Sequence, residues 1–225
     1  MKWLLSSFVI FSTTLHASQS WQSYKKDTLS HQGEVWGWCT NEKAEKLMNL
    51  IHDTNPKVCV EIGVFGGSSI YPTASALRYN RNSGVVHAID PWTTEACLVG
   101  YDTNDPNFKW WQALDIESIY NHFTGMLKHF KLTNQCKVLR MTSEEASSLF
   151  EDESIDILHI DGNHTADVAL ADVLMFLPKV KKGGYVWFDD VNWESTRKAV
   201  DYLSENCEFQ EARSVKDACF LFRKP

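Results

Sequence analysis

No block of lysine and arginine runs through this 225-residue chain, and its 22 basic side chains are outnumbered by 29 acidic ones, for a formal net charge of −7. A phosphate backbone is gripped by a basic stripe that displaces its counterions, so nucleic acid is excluded as the main partner and small or neutral molecules are favoured. No two cysteines stand at C-x-x-C spacing, which argues against a structural zinc site. The apolar run Trp3 to Leu15 is too short to span a bilayer comfortably. Internal repeats and low-complexity linkers are missing as well. What is present is 44% apolar, 12% aromatic and 23% charged residues, a composition that excludes disorder, collagen and coiled coil. At this length one globular domain buries most of its apolar surface.

The first residues read as a leader rather than as part of the fold. Lys2 gives a positive start, Trp3 to Leu15 an apolar stretch, and Leu15-His16-Ala17 an imperfect cleavage site. Residues 1–17 are therefore expected to be a signal peptide for export to the periplasm or outside the cell, leaving no stable membrane span. An uncleaved anchor or a cytoplasmic chain with an N-terminal extension are the alternatives. The cysteines (Cys39, Cys59, Cys97, Cys136, Cys207, Cys219) are even in number, as an oxidising compartment would permit. Cys59 lies in an apolar run and reads as a buried small hydrophobe, whereas Cys207 and Cys219 flank a terminal hairpin and form the pair most able to bridge.

Residues 18–56 are expected to form an N-terminal arm and one helix. Ser18 to Gly37 shows no clear period and reads as an arm or flap. Asn41 to His52 carries Ala44, Leu47, Met48 and Ile51 at helical spacing, with Thr40 as N-cap. Residues 57–225 then alternate short apolar runs with helical patterns. Strands are expected at Val58–Ile62, Val85–Ile89, Lys137–Arg140, Ile155–Ile160 and Tyr185–Phe188. Helices are expected at Ser69–Tyr79, Ile116–Phe130, Glu144–Phe150, Thr165–Leu177 and Ser195–Ser204. This alternation predicts an α/β, Rossmann-like, doubly wound and mostly parallel sheet of seven strands, closed by an antiparallel C-terminal hairpin of Glu208–Ala212 and Ala218–Phe222. Pro91 to Ala113, rich in aromatics, reads as a binding loop or a packed Ω-loop.

In such a sheet ligands bind beyond the carboxyl ends of the strands. The first strand runs into Glu61-Ile62-Gly63-Val64-Phe65-Gly66-Gly67-Ser68-Ser69, a small-residue turn in which Ser68 or Ser69 could cap the next helix. Phe65 stands where a dinucleotide fingerprint requires its second glycine, which disfavours that class of cofactor. The second strand ends at Asp90, well placed to accept both ribose hydroxyls of a nucleoside cofactor.

The fourth and fifth strands run into Asp161-Gly162-Asn163-His164 and Asp189-Asp190-Val191-Asn192-Trp193. Neighbouring strands lie about 5 Å apart, so the three carboxylates converge. With no lysine or arginine in either motif they would repel one another unless a cation sits among them, and an all-oxygen set suits Mg²⁺ or another hard divalent ion. The competing reading is that one Asp caps a helix and another binds backbone amides. His164, close by and titrating near neutrality, is a candidate base or merely a helix cap.

The turn at Val60 to Ser69, Ala88-Ile89-Asp90, Leu158 to His164 and Gly183 to Asp190 together resemble the class I S-adenosylmethionine-dependent methyltransferases. The chain is most similar to the metal-dependent small-molecule O-methyltransferases of the catechol, caffeoyl-CoA and macrolide-sugar kind, over roughly Lys57 to Phe222. The resemblance implies that Gly63, Phe65 and Ser69 line the methionine and sulfonium side of the cofactor, that Asp90 holds the ribose, and that Ser143 lies beside the adenine. It places Asp161, Asp189 and Asp190 on the metal ligands, with Asp190 where the catechol enzyme has Asn. It also puts His164 where that enzyme has a lysine base. The cofactor-binding set then comprises Glu61, Gly63, Phe65, Gly67, Ser69, Asp90, Ser143 and Asp161, and the catalytic set His164 and Asp161.

The activity this implies is metal-assisted methylation of a small phenolic or sugar hydroxyl, with oligomeric state left open. Trp92, Trp110, Trp111 and Trp193 suit stacking on such a ring, and core packing accounts for them equally well. His159 reads as a satisfied core histidine. Two other classes compete: a metal-dependent hydrolase or lyase built on the Asp cluster, and a non-catalytic exported binding protein with this fold. The last draws on a conflict, because S-adenosylmethionine is made and used in the cytosol whereas the N-terminus resembles an export leader.

Overall fold

The computed structural model describes residues 19–212 and 218–225; the expected leader lies outside the described residues. Seven strands form one sheet: β1 (Val58–Ile62), β2 (Val85–Ile89), β3 (Cys136–Leu139), β4 (Ile155–Ile160), β5 (Val180–Phe188), β6 (Glu208–Ala212) and β7 (Phe220–Arg223). Their spatial order is β3-β2-β1-β4-β5-β7-β6, parallel through β5 and antiparallel at β7 and β6. The expected doubly wound sheet with a C-terminal hairpin is therefore the observed one. The order reverses between β1 and β4, which makes that crevice the switch point where ligands bind.

The helices are α1 (Trp21–Ser30), α2 (Asn41–Thr54), α3 (Ile70–Asn80), α4 (Thr94–Cys97), α5 (Pro106–Ala113), α6 (Ile116–His129), α7 (Ser143–Ser147), α8 (Ala166–Phe176) and α9 (Arg197–Asn206). One face of the sheet, with Cys59, Val86 and Ile157, packs on Met48 and Ile51 of α2, Leu77 of α3 and Phe123 of α6. The other face, with Val60, Leu158, Val186 and Phe222, packs on Val173 and Phe176 of α8 and Leu203 of α9. A third cluster joins Cys39, Ala44 and Leu47 to Trp187 and Cys219, seating the start of α2 over β5 and β7.

Four segments differ from the sequence expectation, each for a local reason. Ser18 to Gly37 holds a helix, α1, which lacks a strong apolar stripe because polar contacts dock it: Tyr24 Oη donates to Ser75 O at 3.0 Å and Tyr71 Oη donates to Thr28 O at 3.1 Å. The aromatic loop folds into α4 and α5, and α5 begins at an Asp-Pro pair in which Asp105 accepts from the Asn107 amide. Strand β5 starts earlier than its apolar run, because Lys181 to Gly184 extend it through an irregularity with Gly183 at φ +76°. All six cysteines are free thiols; Cys207 packs with the α8–α9 cluster and Cys219 with the Trp187 cluster, so the anticipated pair is separated.

Candidate active site

The ladder itself brings the candidate residues to one edge. Gly63 N–H donates to Ile89 O, Asp161 N–H to Ile62 O and Asp189 N–H to Ile160 O, so each strand hands its last hydrogen bond to the residue after its neighbour. Around this edge lies a cavity of about 1000 Å³, lined among others by Lys43, Gly63, Phe65, Ser69, Asp90, Ser143, Asp161, His164, Asp189 and Asp190. That volume lies at the upper end of small-molecule sites, enough for a cofactor with a second molecule beside it.

The glycine turn is held from below by Asp90. Its Oδ2 accepts from the amides of Val64 at 3.0 Å and Phe65 at 3.1 Å, and its Oδ1 accepts from the Trp92 amide at 2.7 Å. Trp92 Nε1 donates in turn to Phe65 O at 2.9 Å. Gly63 and Phe65 both have positive φ, +80° and +51°, and a Cβ on Gly63 would run into the backbone of Asp161 and Gly162. Burial raises the Asp90 pKa and the three amides hold it back, leaving a net rise. Trp92 is therefore a core residue that braces the turn, with 3% of its surface exposed.

On the α2 face a buried polar row crosses the sheet. Glu61 pairs in register with His159, and His159 with Trp187, so their side chains stand next to one another. Ser69 Oγ donates to Glu61 Oε1 at 2.5 Å, although Ser69 occupies the N-cap position of α3. Ser68 Oγ likewise accepts from Cys39 N–H rather than capping the helix. His159 bridges two carboxylates, with Nδ1 3.1 Å from Glu61 Oε2 and Nε2 2.7 Å from Asp189 Oδ2. Burial alone would lower the His159 pKa; the carboxylates of Glu61 and Asp189 outweigh it and raise it to about 10. Asp189 Oδ1 accepts from Trp187 Nε1 at 3.3 Å.

The row ends on a lysine. Lys43 Nζ contacts Asp189 Oδ2 and lies 3.7 Å from Asp161 Oδ2. Burial opposes its charge, but Asp189 and Asp161 outweigh burial and hold the ammonium well above the usual lysine value. Burial would raise Asp189 too; Lys43 and His159 instead hold it well below the carboxylate range. Asp161 is displaced upward, by burial first and by the charge of Asp189 second.

Nearer the mouth, His164 Nε2 lies 2.9 Å from Asp190 Oδ2, close but without the alignment of a hydrogen bond. Burial lowers the His164 pKa and Asp190 more than compensates, for a net rise. The Trp193 ring packs 4.6 Å from the His164 ring. At the opposite end Ser143 Oγ donates to Asp172 Oδ1, and burial pushes the Asp172 carboxyl up to about 6 against that bond. Trp38, Phe65, Trp110 and Trp111 form an aromatic wall, with ring centroids 4.8 Å apart for Trp38 and Phe65 and 5.7 Å for Trp38 and Trp110. Trp38 is 67% exposed, a large apolar surface left open at the cavity.

Of the residues singled out in the sequence, Gly63, Phe65, Ser69, Asp90, Ser143, Asp161, His164, Asp189 and Asp190 line the cavity. Glu61 is 1% exposed and faces Ser69 and His159 instead. Gly67 admits Phe123 and Met126 of α6, and a Cβ there would meet Phe123 at 2.6 Å. Lys43 and Asp172 escaped sequence reasoning. Lys43 and Asp172 did leave a trace, since each is an ionisable residue on an apolar helix stripe: Lys43 with Leu47 and Ile51, Asp172 with Ala169, Val173 and Phe176.

Comparison with known proteins agrees with this architecture. The chain is 27% identical over 143 residues to an uncharacterised protein of Sinorhizobium fredii, covering 64% of this chain and 14% of that one. It is 30% identical over 135 residues to an uncharacterised protein of Acanthamoeba polyphaga mimivirus, covering 58% of this chain and 50% of that one. It thus spans half or less of these relatives. Among solved structures it is similar to an SAH-bound methyltransferase of Podospora anserina (TM-score 0.64, 13% identity, 98% and 100% of the two chains). It is also similar to an O-methyltransferase of Bacillus cereus in complex with SAH (0.62, 13%, 94% and 93%). A third is the O-methyltransferase TomG of Streptomyces achromogenes, involved in tomaymycin synthesis and in complex with SAM (0.59, 12%, 93% and 92%). At these identities the likeness is one of fold. The profile described as "Methyltransferase domain" matches residues 60–191, more than half of the chain, and the protein belongs to that family.

Proposed function

We propose that this chain transfers a methyl group from S-adenosylmethionine to a hydroxyl of a small phenolic or sugar acceptor. The observation that carries the reading is the cavity at the switch point, where Asp90 closes the glycine turn while an acid-rich edge and an aromatic wall line the same space. A nucleoside fits the side chains: Asp90 borders the position expected for the ribose, and Ser143 with Asp172 offers a hydroxyl and a carboxyl at the far end. Asp161 borders the glycine turn, where the methionine end of the cofactor is expected.

When bound, S-adenosylmethionine supplies an electrophilic methyl group. The chain's own contribution is alignment and proton removal. Trp38, Phe65 and Trp110 hold a planar acceptor by stacking, and the cavity walls bring its oxygen into line, which alone removes much of the entropic barrier. His164 accepts the hydroxyl proton, and Asp190, 2.9 Å from its Nε2, stabilises the resulting imidazolium.

A divalent ion on Asp161, Asp189 and Asp190 does not fit these side chains as they stand. Among the described residues, two donor groups have ligand atoms within 4.8 Å of one another, His159–Asp161–Asp189 and Asp161–His164–Asp190. In the first, both Asp189 oxygens already have donors from Lys43, His159 and Trp187. In the second, Asp190 faces His164 and Asp161 shares the Lys43 ammonium. No step is assigned to a metal.

Calorimetric titration of the full chain with S-adenosylmethionine, with and without Mg²⁺, tests the reading. Micromolar binding that is indifferent to Mg²⁺ is expected. Absence of binding under both conditions overturns the methyltransferase reading.

A further inference from the structure

We infer that Lys43 is the resident cation of the acidic edge, occupying the place that a divalent ion would need, so that this site works without one; the inference deepens the methyl-transfer reading and rests on it for its catalytic meaning.

The placement of Lys43 is itself costly. It lies three residues into α2, after the Thr40 cap, on the stripe that continues through Leu47 and Ile51, and only 6% of its surface is exposed. A lysine at a core-facing position is tolerated only when its charge is answered. The answer comes from two strands at once. Asp189 follows β5, Asp161 follows β4, and the ammonium reaches both. Bridging carboxylates from adjacent strand ends is the task that a metal performs at an acidic cluster, and here a side chain from outside the sheet performs it.

The remaining donors leave little for another cation. His159 and Trp187 complete the Asp189 carboxylate from the buried side. Asp190, nearer the mouth, lies against His164. A divalent ion entering this edge would have to displace the ammonium from Asp189 or share Asp161 with it, at the cost of like-charge repulsion at close range. Lys43 is thus a positioning residue: it holds the two carboxyl groups together at the cavity floor.

The test is Mn²⁺ titration of chelator-stripped full-length protein, followed by the electron paramagnetic resonance of the free ion, for wild type, Lys43→Met and Lys43→Arg. Wild type and Lys43→Arg are expected to show no saturable binding at millimolar Mn²⁺. Lys43→Met, which keeps the bulk and removes the charge, is expected to bind at least roughly tenfold more tightly than wild type. Saturable binding by wild type equal to that of Lys43→Met overturns the inference, and so does a folded Lys43→Met that binds no better than wild type. A second measurement needs no variant: amine acylation of Lys43 in the wild type, read by mass spectrometry. Labelling unchanged by Mn²⁺ supports the inference, and labelling that rises with Mn²⁺ overturns it because the ion has then displaced the ammonium. Neither measurement uses S-adenosylmethionine, so failure to bind the cofactor would sink the methyltransferase reading separately.

Discussion

His159 and Glu61 face each other across the β1–β4 register, with His159 Nδ1 3.1 Å from Glu61 Oε2 while the other ring nitrogen reaches Asp189. A histidine buried between two carboxylates is a charged strut, and it ties the turn after β1 to the acidic edge after β5. Removing it leaves Glu61 and Asp189 buried with one partner fewer each. His159→Leu is expected to cost about 3–5 kcal/mol, the range for breaking a buried pair. Chemical denaturation read by tryptophan fluorescence checks this.

The same strut has a pH signature. The folded-state pKa of His159, about 10, lies above its unfolded value of 6.5. Its contribution to stability is therefore complete below 6.5 and is lost as pH rises through about 10. The wild type should lose stability faster than His159→Gln over that alkaline span. Parallel slopes for the two proteins would count against a charged His159.

At the mouth, proton removal is assigned to His164. His164→Gln is expected to lower kcat by about 10²–10⁴ while leaving S-adenosylmethionine affinity unchanged. A base works deprotonated, and Asp190 raises the His164 pKa above 6.5, so kcat should rise with pH through a limb above that value. Asp190→Asn removes the raising charge and should shift the limb toward acid. A limb that stays in place in Asp190→Asn would remove the pair from the mechanism.

Asp90 has two tasks, and graded substitutions separate them. Asp90→Asn weakens one of its carboxylate functions, whereas Asp90→Ala removes the acceptor of three backbone amides and frees the turn. Cofactor affinity should fall in both, and thermal stability should fall most in Asp90→Ala, by roughly 1–3 kcal/mol per unsatisfied buried amide. Gly63→Ala should fail to fold, since its Cβ meets the Asp161 backbone.

The aromatic wall bears on the acceptor alone. Trp38→Ala and Trp110→Ala should each raise acceptor KM by the worth of a stacking contact, about 0.5–1.5 kcal/mol, with calorimetric affinity for S-adenosylmethionine unaltered. Equal losses of cofactor affinity would place these rings on the wrong side of the cavity.

Much of this architecture is written locally. Strands Val58–Ile62, Val85–Ile89 and Ile155–Ile160 each end on isoleucine, where their mostly apolar runs stop, and the next residue marks the ligand edge. Asp90, Asp161 and Asp189 were legible for that reason. Lys43 was not, because its partners stand 118 and 146 positions away and only the seating of α2 on Trp187 and Cys219 brings it to them. Three carboxylates without a basic neighbour in sequence suggested a missing cation; the chain supplied one from a helix that sequence reasoning had placed ahead of the sheet domain. The α1 helix was hidden likewise, its docking resting on tyrosine hydroxyls that no periodicity records.

Because α2 delivers the ammonium, the family's matched segment and the working unit do not coincide. Residues 60–191 contain all three aspartates but neither Lys43 nor Trp38. A fragment or chimera cut to that segment would carry an acidic edge with its counter-charge left behind, and the region ahead of β1 would govern which ions and which acceptors the borrowed sheet could hold. Diversity within such a family could then arise from exchanging the leading helices while the strand ends stay as they are.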